Sequence, residues 1–276
     1  VVRVPSRAVD DWATVHVEIS SGTLTIGYLF VARCDGARYN AQDRAVLDGI
    51  AAHAGTALGR AALFGRIRDD YAKTLGALSS TLESSEHRPS GHATRVMDYA
   101  MLIGEELGLP FEDIEQLRFA GLLHDIGKTG VPQEILLKPS KLTAEEFARV
   151  QAHAEFGATI VDHIEFLRGL TPVILHHHER WDGEGYPGKL AGDAIPLLAR
   201  ILSVADAFDA LSTRGRGKQK NSTLAIARHE IEAGSGTQFD PRVVGALMTG
   251  LDRMVLAGKS GLLAPSESQG RPDLLA

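Results

Sequence analysis

Three consecutive histidines, His176-His177-His178, run directly into Glu179-Arg180-Trp181-Asp182-Gly183-Glu184-Gly185-Tyr186-Pro187. Upstream stands a second cluster, His124-Asp125-Ile126-Gly127-Lys128. Neutral imidazole and carboxylate are the ligands that zinc, iron and manganese accept, so two such clusters on one chain raise the question of a shared metal site. Eight of the eleven histidines fall between His87 and His178, which concentrates the imidazoles rather than scattering them. A histidine run in a soluble protein is more often a tag or a solvated patch. This run is internal, follows apolar Val173-Ile174-Leu175 and leads into a glycine-rich loop, and both bland readings lose ground.

Composition narrows the partners. At 276 residues, 44% hydrophobic and 23% charged, the chain can bury a substantial core in one large domain or two smaller ones. The net charge of −6 without a long basic run argues against duplex nucleic acid. A small anionic substrate is still compatible, because bound cations and local Lys and Arg side chains reverse the local field. The single cysteine, Cys34, leaves no internal disulfide and suits a reducing cytoplasm. No apolar run approaches the ~20 residues of a membrane helix, so no membrane association is expected. The opening Val1-Val2-Arg3 carries no methionine and no signal-peptide pattern, and a piece of a longer protein is expected.

Two early segments alternate like half-buried strands, residues 14–19 and 24–32, with Ser20-Ser21-Gly22-Thr23 as the hairpin turn. From Ala41 to about Tyr71 the pattern is alanine-rich and helical, with Val46, Leu47, Ile50 and Ala54 on one face. Two strands and a helix bury too little to fold well alone. Thr25-Ile26-Gly27-Tyr28-Leu29-Phe30-Val31, Asp43-Arg44-Ala45-Val46-Leu47 and Ala61-Ala62-Leu63-Phe64 resemble the C-terminal half of a GAF domain, a small α/β sensor module. Beyond residue 70 the periodicity predicts helices over about 70–84, 92–108, 111–124, 143–163, 170–178, 196–212, 222–233 and 240–252. Thr143-Ala144-Glu145-Glu146 reads as a capping box. Pro110, Pro172, Pro196 and Pro241 sit near helix starts, where a missing N–H costs little. The expected divisions are 1–66, 67–252 and a Gly-, Ser- and Pro-rich tail over 253–276.

His124 and Asp125 end an apolar-faced helix. Adjacent helical residues point about 100° apart, so both reach one centre only at a helix end, which Gly127 is expected to supply. A carboxylate has two oxygens and can bridge two cations, whereas an imidazole binds one. Lys128 adds a positive charge suited to an anion. His92, His153, His177, His178 and Asp206 are further candidate ligands. His92 opens a helix, and His153 is expected mid-helix. Asp206 lies among apolar Ile201, Leu202, Val204, Ala205 and Phe208, and an inward carboxylate needs a partner. Asp209, one turn on, is expected to brace the site.

These residues resemble the HD-GYP family, a subset of the HD metal-dependent phosphohydrolases. The match runs from Gly91-His92-Ala93-Thr94-Arg95-Val96 through His124-Asp125-Ile126-Gly127-Lys128, Ile135-Leu136-Leu137-Lys138-Pro139 and His153-Ala154-Glu155-Phe156-Gly157. It continues through His177 to Pro187, Ile195 to Ile201, Ala205 to Leu211 and Gly236 to Pro241, covering about residues 70–250 in order. The resemblance implies a mainly α protein, an all-α HD-type helical domain preceded by the partial α/β GAF-like segment. It implies a two-metal centre, iron or manganese, in which His92, His124, Asp125 and Asp206 hold one cation. Asp125, as bridge, then holds the other with His153, His177 and His178. His176 falls outside the motif. Known members hydrolyse cyclic di-GMP to the linear dinucleotide or GMP. Asp125 and Lys128 are the implied catalytic residues, and Lys128, Arg180, Tyr186, Arg214, Arg216 and Lys218 the implied substrate contacts. The GYP loop of the family is associated with docking to GGDEF-type cyclase domains, and a homodimer is a further expectation.

Several positions depart from the family. Arg214-Gly215-Arg216-Gly217-Lys218-Gln219-Lys220 stands where most members carry Arg-Pro-Tyr-Arg. Lysine cannot reproduce the bidentate grip of arginine on phosphate. Lys189 replaces a usual glycine and Ala154 a common proline. Some members take a third cation through a glutamate one turn before the first histidine. Arg88 holds that position here, so two metals are expected, with Glu83 or Glu86 relevant only if the helix is irregular. The intact ligand set favours a cyclic di-GMP phosphodiesterase. The altered basic segment favours a weakly active module that signals through protein contacts. A mononucleotide hydrolase fits the full GYP loop less well.

Overall fold

The computed structural model describes residues 13–33, 37–85, 91–213 and 220–256. They fall into two compact units, Val1–Tyr71 and Ala72–Ala276. In the first, β1 (Ala13–Ser21) and β2 (Leu24–Arg33) form an antiparallel hairpin. Gly22 opens its two-residue turn at φ 59°, the positive φ such turns require. α1 (Ala41–Ser85) begins at a reciprocal cap, in which the Asp43 amide donates to Asn40 Oδ1 and the Asn40 amide to Asp43 Oδ2, both at 2.9 Å. A Cβ at Gly55 would lie 2.0 Å from the Ser20 carbonyl oxygen, and one at Gly59 2.1 Å from Ser21 Oγ. Glycine at both places lets α1 rest directly on the end of β1. The two helical segments expected on either side of residue 70 are one continuous helix, since neither proline nor glycine interrupts 66–75.

The second unit is helical. α2 (His92–Glu106), α3 (Phe111–Leu123), α8 (Leu197–Thr213) and α10 (Pro241–Leu256) supply most of its core. Ile103, Leu117, Ile201, Leu202, Phe208 and Leu247 are fully buried, and Tyr99 meets Phe208 edge-on at 4.9 Å. Around them lie α4 (Gln133–Leu136), α5 (Ala144–Gln151), α6 (His153–Asp162), α7 (Thr171–His176) and α9 (Lys220–Ala233). Short 3-10 turns occupy Ile126–Gly130, Glu165–Leu170 and Gly192–Ala194. The Thr143 capping box forms as expected, and Glu146 also receives Lys138 Nζ at 2.6 Å. No helix of the described residues is long and apolar enough to cross a membrane.

The helix expected over 143–163 is broken at Ala152, so His153 is the first residue of α6, not a mid-helix residue. It is also buried, at 2% exposure. The helix expected over 170–178 is a 3-10 turn followed by α7, which closes at His176. Gly127 does not end α3, which stops at Leu123. A Cβ at Gly127 would lie 1.9 Å from the His153 carbonyl oxygen and 2.5 Å from the Gly157 amide nitrogen. Its absence of a side chain lets the 126–130 turn sit on the start of α6. Gly121 does the same between α3 and α2, where a Cβ would meet the Met97 backbone at 2.4 Å. Each close crossing carries a site histidine beside it.

Candidate metal centre

Five elements converge. α2 presents His92 from its first turn, the end of α3 presents His124 and Asp125, α6 presents His153, the end of α7 presents His177 and His178, and α8 presents Asp206. Two groups have ligand atoms close enough to share an ion, His92 with His124 and Asp125, and His153 with His177 and His178. Asp206 Oδ1 lies 3.4 Å from His92 Nε2 and 3.8 Å from His124 Nε2, which adds it to the first group. Asp125 stands between the groups. Its Oδ2 is 3.4 Å from His124 Nε2 and its Oδ1 is 3.6 Å from His153 Nε2. Each oxygen of one carboxylate therefore faces a different cluster.

The imidazoles are held from behind. Nδ1 of His124, His153 and His177 lies 2.9, 2.6 and 2.6 Å from the carbonyl oxygens of Gly121, Val150 and Ile174. Nδ1 of His92 lies 2.7 Å from Asp209 Oδ2. These acceptors place the proton on Nδ1 and leave each Nε2 lone pair facing the centre, as in metal-ligating histidines. Asp209 is buried and also takes Arg95 Nε at 2.5 Å and Nη2 at 3.0 Å. Burial alone would raise its carboxyl, but the hydrogen bonds from His92 and Arg95 hold it below the ordinary range. Asp209 thus braces His92, as the sequence suggested.

The electrostatics favour cation binding. Burial, aided by neighbouring His124 and His153, pushes His177 down to about 3. Burial likewise holds His178 well below the usual imidazole range and lowers His153. These rings stay neutral near pH 7, the form a metal requires. At His124 burial lowers the pKa, but the Asp125 and Asp206 carboxylates outweigh it and the net shift is upward. His124 Nε2 is buried and has no hydrogen-bond partner among the described residues. A divalent cation would satisfy that atom, and the donor set of imidazoles and carboxylates fits one.

Lys128 is buried at 7% exposure, with Nζ 2.5 Å from Asp125 Oδ2. The Tyr186 ring lies 4.9 Å from the His178 ring at 32°. Burial, then the negative charge of Asp125 and Asp206, raises its phenol pKa. Arg180 is half-buried in a two-pronged pair with Asp182, at 3.0 and 2.6 Å, so it faces the loop's own carboxylate. Arg214, Arg216 and Lys218 lie outside the described residues, as do Glu86 and Arg88. The carboxylate of Glu83 receives the Gly91 and Ala93 amides at 2.8 and 2.6 Å and so caps α2 from outside.

Two supports of the 179–195 loop went unread in the sequence. Glu179 is 3% exposed and accepts the Gly188 amide at 2.6 Å and the Leu190 amide at 3.1 Å, with His176 Nδ1 at 3.3 Å. Gly185 passes so close that a Cβ would lie 2.4 Å from the Arg180 amide nitrogen. Farther out, the Trp181 ring has the Arg200 and Arg242 guanidinium carbons at 5.6 and 5.7 Å from its centroid. Both arginines bond buried Asp240 and exposed Asp193. The Trp181 and Asp182 amides donate to the Gln238 and Thr237 carbonyls at 3.1 and 2.8 Å. An acidic residue straight after the histidine run, ahead of a glycine-rich loop with unpaired amides, is the signal that would have found Glu179.

A helical domain that gathers five imidazoles and two carboxylates from five elements is of the kind that binds metals to act on phosphate esters. The chain belongs to the HD domain family, whose model matches residues 76–243. It is 39% identical over 180 residues to the cyclic di-GMP phosphodiesterase response regulator RpfG of Xanthomonas campestris, covering 64% of this chain and 47% of that protein. It is 40% identical over 176 residues to a cyclic di-GMP phosphodiesterase of Thermotoga maritima, covering 63% and 47%. A 3'3'-cGAMP-specific phosphodiesterase 2 of Vibrio cholerae is 33% identical over 191 residues, covering 68% and 36%. The chain thus spans about half the length, or less, of these curated relatives. A crystal structure of a cyclic GMP-AMP-specific phosphodiesterase of V. cholerae shares the fold, with TM-score 0.55 at 24% identity, over 70% of this chain and 51% of that one.

Proposed function

We propose that this chain is a phosphodiesterase of the HD-GYP type that hydrolyses cyclic di-GMP to the linear dinucleotide or GMP, with two divalent cations at the His/Asp centre. The observation that carries the reading is Asp125, whose two oxygens face separate clusters 3.4 and 3.6 Å away. His92, His124, Asp125 and Asp206 would hold one cation, and Asp125, His153, His177 and His178 the other. Two such cations would neutralise the charge of a phosphodiester and activate a water for in-line attack. Mixed imidazole and carboxylate donors favour iron or manganese over calcium or magnesium. Lys128, held against Asp125, would balance charge there and is the contact proposed for a phosphate oxygen. Tyr186 walls the site over His178 and offers its hydroxyl, kept protonated by burial. Arg214, Arg216 and Lys218, which lie outside the described residues, are the further substrate contacts proposed.

Around this core, the names of the curated relatives support a cyclic dinucleotide over a mononucleotide. The first 66 residues are read as a GAF-like segment, residues 67–252 as the hydrolase and 253–276 as a tail. The cytoplasm is the compartment that suits the lone cysteine, and a GGDEF-domain protein is the partner proposed for the 179–195 loop. The test is hydrolysis by the purified chain, loaded anaerobically with Fe(II) or Mn(II), of cyclic di-GMP beside 3'3'-cGAMP. His124→Ala and Asp125→Ala should lose metal and activity, whereas Lys128→Ala should keep metal and lose most turnover. Full metal content in the first two variants overturns the ligand assignment. A metal-loaded wild type that hydrolyses neither dinucleotide overturns the enzyme in favour of a signalling module.

A further inference from the structure

The described part of the first unit carries an apolar stripe that its own hairpin does not cover. On α1, Ile50, Ala57, Phe64 and Tyr71 recur every seven residues, and Val46, His53, Arg60 and Ile67 recur every seven residues between them. This is the alternating four-and-three spacing of a coiled-coil seam. Ala51, Gly55 and Gly59 lie on the opposite side of the helix. Ala51 is buried, and the two glycines touch Ser20 and Ser21 of the hairpin. Val46, Ile50, Phe64, Ile67 and Tyr71 instead expose between 41% and 66% of their surface. Apolar side chains so exposed and so regularly spaced cost solubility unless something covers them.

We propose that a second copy of this chain covers the stripe, with two α1 helices pairing in parallel as a short left-handed coiled coil. The five exposed side chains, with Ala57 of the same stripe and the flanking Leu63, offer on the order of 600 Å² per chain, approaching the ~800 Å² per partner of a stable interface. In parallel register each layer meets its own copy, Phe64 against Phe64 and Ile67 against Ile67. The polar His53 and Arg60 layers then face each other instead of an apolar layer, and such polar layers fix register. The Arg60 stem lies along the seam with its guanidinium in water. An antiparallel register would oppose Arg60 or His53 to apolar positions and desolvate them without a partner. Of the flanking positions, Leu47, Gly49, Ala54, Thr56, Ala61 and Leu63 carry no charge, and Arg68 and Asp70, at the end of the stripe, are of opposite sign.

This assignment is independent of the reaction and is tested without it. Sedimentation equilibrium of the 276-residue chain should show a dimer at about 10–100 µM. An Ile50→Glu, Phe64→Glu double variant, with helicity unchanged by circular dichroism, should weaken association by about a hundredfold or more. In a Cys34→Ser background, Phe64→Cys should cross-link the dimer under mild oxidation, while Ala62→Cys, which points away from the seam, should not. A monomer at all these concentrations overturns the proposal and leaves the stripe to another occupant. A dimer that survives the double variant, or cross-links at position 62 and not at 64, overturns the seam.

Discussion

Gly127→Ala should disable one half of the metal centre and leave the other in place. The added Cβ would lie 1.9 Å from the His153 carbonyl oxygen, and real Cβ contacts do not fall below 3.0 Å. The 126–130 turn and the start of α6 must therefore separate by more than 1 Å. Metal–ligand distances tolerate about 0.2 Å, so a shift of that size moves His153 out of reach of an ion shared with Asp125. His92 and Asp206 stand on α2 and α8, which the clash does not touch, and His124 closes α3 two residues before the displaced turn. Overpacking of this kind costs about 1–3 kcal/mol, or roughly 3–10 °C in melting temperature for a unit of this size. Metal content per chain, by plasma mass spectrometry, should fall from two towards one. Hydrolysis of cyclic di-GMP should fall with it, while far-ultraviolet circular dichroism stays native. Two retained metals and an unchanged melting temperature would refute the claim that this close crossing sets His153.

Asp209→Asn should weaken metal binding by about 10–100-fold, as loss of an outer-shell partner of a ligating histidine does, and equal affinity in a chelator competition would count against the brace. Glu179→Ala removes the acceptor of the Gly188 and Leu190 amides. It should raise KM for the dinucleotide and speed amide exchange in the loop with metal content intact, and unchanged exchange would show that the loop stands without it. Metal-free protein should be less stable at pH 5.5 than at pH 7.5. Burial lowers the pKa of His153, His177 and His178. Below about 6.5 the unfolded chain takes up protons that the fold refuses, so stability falls with pH from there. His124, shifted upward, works in the opposite sense, one ring against three. A urea midpoint equal or higher at pH 5.5 would contradict this.

The candidate ligands were legible because their chemistry is carried by side-chain type: imidazole and carboxylate among apolar neighbours announce themselves wherever the helices end. Asp206 and Asp209 read as candidate ligand and brace from one turn of spacing, and the structure sets Asp206 beside His92 and His124 and Asp209 behind His92. What stayed hidden depends on backbone approach. Gly127 looked like a helix stop, and only the packed fold shows it yielding space to His153. The break at Ala152 was hidden too, since alanine is the best helix former and Thr143 caps a periodic run that continues to 163. Glu179 was masked by the histidines before it. The Trp181 contacts reach Arg200, Gln238 and Arg242, separations no local pattern encodes.

That last connection divides the centre unevenly along the chain. Every candidate ligand occurs before Ala207, so a polypeptide ending at Ala233 would still carry all seven. It would lack the Thr237 and Gln238 carbonyls, Asp240 and Arg242, to which the Trp181 end of the loop is tied. The candidate ligands are thus written in the middle of the domain, whereas the anchors for the Trp181 end of the loop are supplied only where its last helix begins.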